Sequence, residues 1–278
     1  MSNKNWLIVG GAVLSAVAVI AALCSVLVMK NGGIFARDAG VTVVLPDDVK
    51  LELVKVQAGT FTMGGRFTKK RQIDDKRGHQ ITLTKDFYIG KTEVTQAQYR
   101  AVMGSNPSHF KGDDLPVECV SWDDAMEFCR KLNEMGKAPD GWMFTLPTEE
   151  MWEYAAHGGR WSNGYRYSGG NDVGEVAWYY NNAGATRPVA KKNANELGLY
   201  DMCGNVGEWC LDRYEADQPG NQAFPKDSSV SYRCFRGSYW NDSAGSCRLA
   251  YSYGRSVSTR RDNELGFRVA LVQLKRGR

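Results

Sequence analysis

The chain has 278 residues, 43% of them hydrophobic and 24% charged, with 30 Gly and 8 Trp. That is a globular composition, long enough to bury a sizeable core as one large domain or two small ones. Net charge is only +4, and Lys and Arg are dispersed apart from short runs at residues 69–71 and 275–278, so nucleic-acid binding has no support.

Residues 6–29 carry no charge and are bracketed by Lys4 and Lys30. As a helix they would measure about 36 Å, enough to cross a bilayer core of about 30 Å. Residues 1–30 therefore read as a single-pass transmembrane anchor. A cleaved signal is the alternative, although its apolar region is normally shorter, about 7–15 residues. A lipoprotein attached through Cys24 is a third reading. The flanking positive charges are nearly balanced, and a short N-terminus before a large body favours a body on the exported side, periplasmic or extracellular.

Residues 31–50 read as a linker with an entry strand. Residues 51–59 (LELVKVQAG) alternate, residues 61–65 form strand and turn, and residues 79–89 (HQITLTKDFYI) read as a second alternating strand. Thr95 caps a helix from Gln96 to Met103 that Gly104 stops. Ser121 caps a clearer helix, with Asp123 and Asp124 in the dipole-favoured first turn. Ala125, Phe128, Cys129 and Leu132 then lie on one apolar face. Thr148 caps a third helix ending near Gly158 and Gly159. Beyond residue 160 helical periodicity disappears, leaving short alternating stretches at 175–180, 232–236 and 266–271. The fold class is α+β with much irregular backbone. The segment 210–231 is long for a loop in a compact domain.

Seven Cys are present. Setting aside Cys24 leaves Cys119, Cys129, Cys203, Cys210, Cys234 and Cys247. An even number permits disulfides, and buried thiols are the other reading. No CxxC or His/Cys cluster points to zinc.

Seven blocks fall in order: GTFTMG (59–64), TEVTQ (92–96), PVECVSW (116–122), LPTEEMWEY (146–154), GLYDMCGNVGEW (198–209), RGSYW (236–240) and LGFRV (265–269). Together they resemble the formylglycine-generating enzyme, or sulfatase-modifying factor, family across residues 51–273, with 274–278 left as a basic tail. The resemblance implies that family's C-type-lectin-like fold. It also implies oxidation of a sulfatase Cys to formylglycine by a C-x4-C pair that binds copper, since two thiolates suit Cu(I). Here the pair falls on Asp242 and Cys247. Shifting the alignment by one residue places Asn241 and Ser246 there. Either way the pair is broken and copper is not expected. His79, His109 and His157 do not form the His-rich triad of the family's iron relatives.

A structural calcium is implied beside the GNVGEW block, held by Asp201 and Glu208 side chains and the Gly204 and Val206 carbonyls, hard oxygen donors for a hard cation. Links among Cys203, Cys210, Cys234 and Cys247 stay open. Residues 239–264 are rich in Tyr, Ser, Arg and Asn, the vocabulary of adaptable recognition surfaces. They correspond to the family's substrate groove and also resemble the variable region of retroelement-diversified receptors. The expected ligand contacts are Tyr239, Trp240, Asn241, Asp242, Tyr251, Tyr253, Arg255 and Arg260. The function expected is a membrane-anchored, non-catalytic module binding a peptide, protein or glycan. A formylglycine-generating oxidase is the alternative.

Overall fold

The computed structural model describes residues 40–64, 78–213, 231–249, 251 and 255–274. The expected anchor at residues 1–30 lies outside them. Among the described residues no helix is long and apolar enough to cross a membrane.

Among the described residues, three sheets carry the body. Five strands, β1 (Val41–Val44), β2 (Lys50–Val56), β5 (Phe87–Gly90), β6 (Trp142–Thr145) and β11 (Ala270–Gln273), form one antiparallel sheet in the order β1-β2-β5-β11-β6. A second sheet contains β7 (Gly207–Arg213), β8 (Tyr232–Arg236), β9 (Arg255–Val257) and β10 (Leu265–Gly266), in the order β10-β7-β8-β9. The third is a hairpin of β3 (Gly59–Met63) and β4 (His79–Leu83).

Three helices begin and end where local chemistry dictates. In α1 (Gln96–Met103) Thr95 accepts the Gln98 amide, Gln98 returns the bond to the Thr95 amide, and Gly104 ends the helix at φ 76°. In α2 (Trp122–Glu134) Ser121 and Asp124 form the same reciprocal box, and the buried residues are Ala125, Phe128, Cys129 and Leu132, the predicted face. In α3 (Glu149–Ala156) Thr148 accepts the Met151 amide.

The entry strand expected in 31–50 is β1, which pairs with β2 and buries Val43 in the core. The strand expected at 232–236 is β8, while other expectations need correction. The single strand read at 79–89 is two strands in different sheets. The chain breaks at Lys85-Asp86, where Asp86 Oδ1 accepts the Ala58 amide at 2.8 Å. The stretch 175–180 contains the end of a helical turn, α4 (Val173–Val176), capped by Asp172. Strand β6 was not foreseen.

Two apolar clusters result. One gathers Tyr99, Phe128, Phe144, Trp209, Phe235 and Phe267 under α1 and α2. The other gathers Val56, Ile89, Trp152, Tyr154, Met202 and Leu249 around α3. Trp209 locks the first by donating from Nε1 to the Val120 carbonyl at 3.0 Å.

Candidate functional site

The GNVGEW block is built around buried charge. Arg268 is fully buried and grips Glu208 through two bonds, Nε to Oε2 and Nη2 to Oε1, both 2.6 Å. Trp152 Nε1 adds a third bond to Glu208 Oε2 at 2.6 Å. Arg268 also donates to the carbonyls of Gly90 (3.0 Å) and Tyr200 (2.9 Å), joining β5, the 198–209 block and the C-terminal strand region.

Glu93, also fully buried, accepts the Val206 amide (3.1 Å) and the Asn205 side-chain amide (2.8 Å). Burial, then Asp201 and Glu208, push its carboxyl well above the usual range, while Arg268 pulls the other way. Asp201 sits at φ 56° and accepts the Ala190 amide at 2.7 Å, leaving Oδ1 buried without a bond. Burial raises its pKa to about 6. Gly204 has no room for a side chain: at φ 79° an added Cβ would lie 2.1 Å from the Trp178 carbonyl oxygen.

The four residues of the expected calcium set, Asp201, Gly204, Val206 and Glu208, are all buried in this block. Both Glu208 oxygens accept from Arg268, while Asp201 Oδ1 is the buried oxygen left without a bond. Among the described residues no three His, Cys, Asp or Glu are arranged to hold a metal ion.

The two positions of the broken oxidase pair, Asp242 and Cys247, are both engaged within the fold. Cys247 is 2% exposed, its sulfur accepting the Ser238 hydroxyl at 3.1 Å and its thiol donating to the Ser243 carbonyl at 3.6 Å. Burial pushes its pKa up to about 11. Asp242 closes a turn: its Oδ2 accepts the Tyr239 amide at 3.2 Å and its own amide donates to the Tyr239 carbonyl at 2.9 Å. The described cysteines are thiols, so the disulfides permitted by the sequence are not seen among them.

The candidate recognition face is more cohesive. Tyr239, Trp240, Asn241 and Asp242 form one turn. Trp240 is fixed at both ends, its amide donating to the Asn205 carbonyl (2.9 Å) and its Nε1 to the Asn263 carbonyl (3.0 Å). Arg260 pairs with Asp262 and, at 3.2 Å, with Glu264 beside this turn. Burial, then Asp242 and Glu264, raise the Tyr239 phenol to about 12. Tyr251 is half-buried, its amide donating to the Arg248 carbonyl at 2.9 Å. Arg255 begins β9, opposite Cys234. Tyr253 lies outside the described residues.

Sequence reasoning missed four neighbours. Phe110 meets Trp240 edge-on at 5.6 Å, and His109 packs on Phe110 at 4.8 Å. Buried Glu118 holds that turn by accepting the Phe110 amide at 2.8 Å. Tyr180, 67% exposed, is fixed by its amide bond to the Asp242 carbonyl at 2.9 Å. No local signal tied these residues to the 239–242 turn. Glu93 and Arg268 were legible in part, because a charge inside an apolar block such as LGFRV implies a buried partner.

Comparison with known proteins agrees with the block pattern. The profile of the sulfatase-modifying factor enzyme 1-like domain matches residues 44–272. The chaperone protein LppX of Paenibacillus barcinonensis is 38% identical over 247 residues, covering 72% of this chain and 82% of that one. The inactive C-alpha-formylglycine-generating enzyme 2 of Bos taurus is 29% identical, covering 74% and 67%. Among solved structures, Treponema denticola variable protein 1 superposes with a TM-score of 0.69 at 30% identity, covering 84% of this chain and 98% of that one. The chain therefore belongs to the sulfatase-modifying factor, or formylglycine-generating enzyme, family.

Proposed function

We propose that this protein is a non-catalytic member of the family, tethered to the cell envelope by its N-terminal segment, whose exported body binds a peptide, protein or glycan through the face around Tyr239 and Trp240. One observation carries the reading: an intact scaffold holds Asp242 and a buried, hydrogen-bonded Cys247 where the oxidase needs two thiolates. A carboxylate is a poor Cu(I) ligand, and one inaccessible thiol cannot build a two-coordinate site. Similarity to a protein named as an inactive formylglycine-generating enzyme and to one named as a chaperone supports binding over chemistry.

The test is co-expression with a sulfatase-motif peptide, CxPxR, followed by mass spectrometry of the peptide Cys. The expected result is an unmodified thiol. Conversion of the thiol to the aldehyde would overturn the reading in favour of the oxidase. A glycan and peptide array then searches for the ligand.

A second reading, a retroelement-diversified receptor, draws support from the similarity to a variable protein and from the Tyr- and Ser-rich segment 239–264. A reverse transcriptase with a template repeat beside the gene would support it.

A further inference from the structure

Beyond α3 and the helical turn Gly159–Trp161, the chain runs through Ser162, Asn163 and Gly164, all exposed. Gly164 has φ 69°, and a Cβ added there would meet nothing within 4 Å. Its amide donates to Ser162 Oγ at 3.3 Å, a long bond. The Asn163 backbone amide donates to Glu196 Oε1 at 2.8 Å and ties this loop to the segment around residue 196. Among the described residues no hydrogen bond holds the Asn163 side chain.

Other described asparagines are placed differently. Asn205 is fully buried, its side chain bonds Glu93 and Arg187, and branched Val206 follows it. Asn106 precedes a proline, which has no amide N–H. The side chains of Asn133, Asn171 and Asn182 bond backbone groups. Asn163 is the one asparagine among the described residues that a glycine follows.

We propose that Asn163 is a modification site, converted without an enzyme to aspartate and isoaspartate as the folded protein ages. The Gly164 backbone nitrogen gives up its bond to Ser162, loses its proton to solvent base and attacks Asn163 Cγ. A new C–N bond closes a succinimide ring, the bond from Cγ to Nδ2 breaks, and ammonia leaves. Water then opens the ring. Opening at Cγ restores the ordinary backbone and gives aspartate. Opening at the backbone carbonyl routes the chain through the side chain and gives isoaspartate. One water is consumed, one ammonia is released, and nothing is oxidised or reduced. Glycine at 164 matters because a Cβ there would crowd the nitrogen as it reaches Cγ. Either product sets a new carboxylate beside Glu196. Like charges then oppose the bond between residue 163 and Glu196, and the tie between the two segments loosens.

The test ages the full folded chain in mildly alkaline buffer made with water enriched in heavy oxygen, beside a denatured sample as control. Digestion with trypsin in ordinary water cuts after Arg160 and Arg166 and isolates residues 161–166 for mass spectrometry. The expected result is a progressive loss of the amide form of this peptide. Two acidic isomers replace it, each carrying one heavy oxygen, and an isoaspartyl methyltransferase labels one of them. Asn163→Gln should lose both products, and Gly164→Ala should slow them, with circular dichroism checking that each variant is folded. Persistence of the amide at residue 163 in the folded chain, over a period in which the denatured chain converts, would overturn the proposal. So would aspartate alone forming equally fast in the wild type and in Gly164→Ala, since that is direct hydrolysis without the ring.

Discussion

Replacing Arg268 with Met is the sharpest test of the buried charge centre. The substitution keeps most of the side-chain volume and removes the guanidinium. Glu208 is then left at 0% exposure without its cationic partner, beside Glu93 and Asp201, whose carboxyls burial already holds above their usual range. Removing one partner of a buried pair costs about 3–5 kcal/mol. The carbonyls of Gly90 and Tyr200 also lose their donor, at about 1–3 kcal/mol each where water cannot replace it. For a body of this size about 2–4 °C of melting temperature follows each kcal/mol, so a fall of at least about 10 °C is expected. Calorimetry or circular dichroism at neutral pH measures it. The double variant Arg268→Met with Glu208→Leu should cost less than the sum of the two single changes, because neither charge is left stranded. A fall below about 3 °C in the single variant would refute the reasoning, since it would mean that the pair is solvated or that water replaces the guanidinium.

Three further outcomes are expected. Gly204→Ala forces a Cβ to 2.1 Å from the Trp178 carbonyl at a positive φ, and should lower denaturant stability by more than about 3 kcal/mol; a shift under about 1 kcal/mol would contradict the close approach. Asp212 accepts the Glu149 amide, and its pKa is raised to about 6, chiefly by burial and then by Glu150 and Glu149. Because the folded value exceeds the unfolded one, the stability this group contributes is present in acid and is lost as pH rises from about 4 to 6. Asp212→Asn should therefore flatten that loss in melting curves across the window, and an identical slope in both proteins would count against it. Tyr180→Ala removes an exposed ring, so melting should stay within about 1–2 °C, while any array ligand of the wild type should bind more weakly. Unchanged binding would place the recognition face elsewhere.

How much of this was legible beforehand depends on the range of the interaction. The helix boundaries were readable because capping is local: Thr95, Ser121 and Thr148 bond amides within three residues. The family scaffold was readable because its blocks keep their order, and the broken oxidase pair because Asp242 occupies a countable position. The break of 79–89 into two strands was not readable, since alternation continues across Lys85-Asp86 and only the bond from Ala58 reveals the turn. Glu208 looked like a cation ligand because a carboxylate in a loop suits calcium. Only the fold brings Arg268, 60 residues away in sequence, against both of its oxygens. The sequence determined the capped helices and the chemistry available at each position. The tertiary structure decided which charges meet in the interior, because in low dielectric a carboxylate's role is set by its partner and not by its neighbours along the chain.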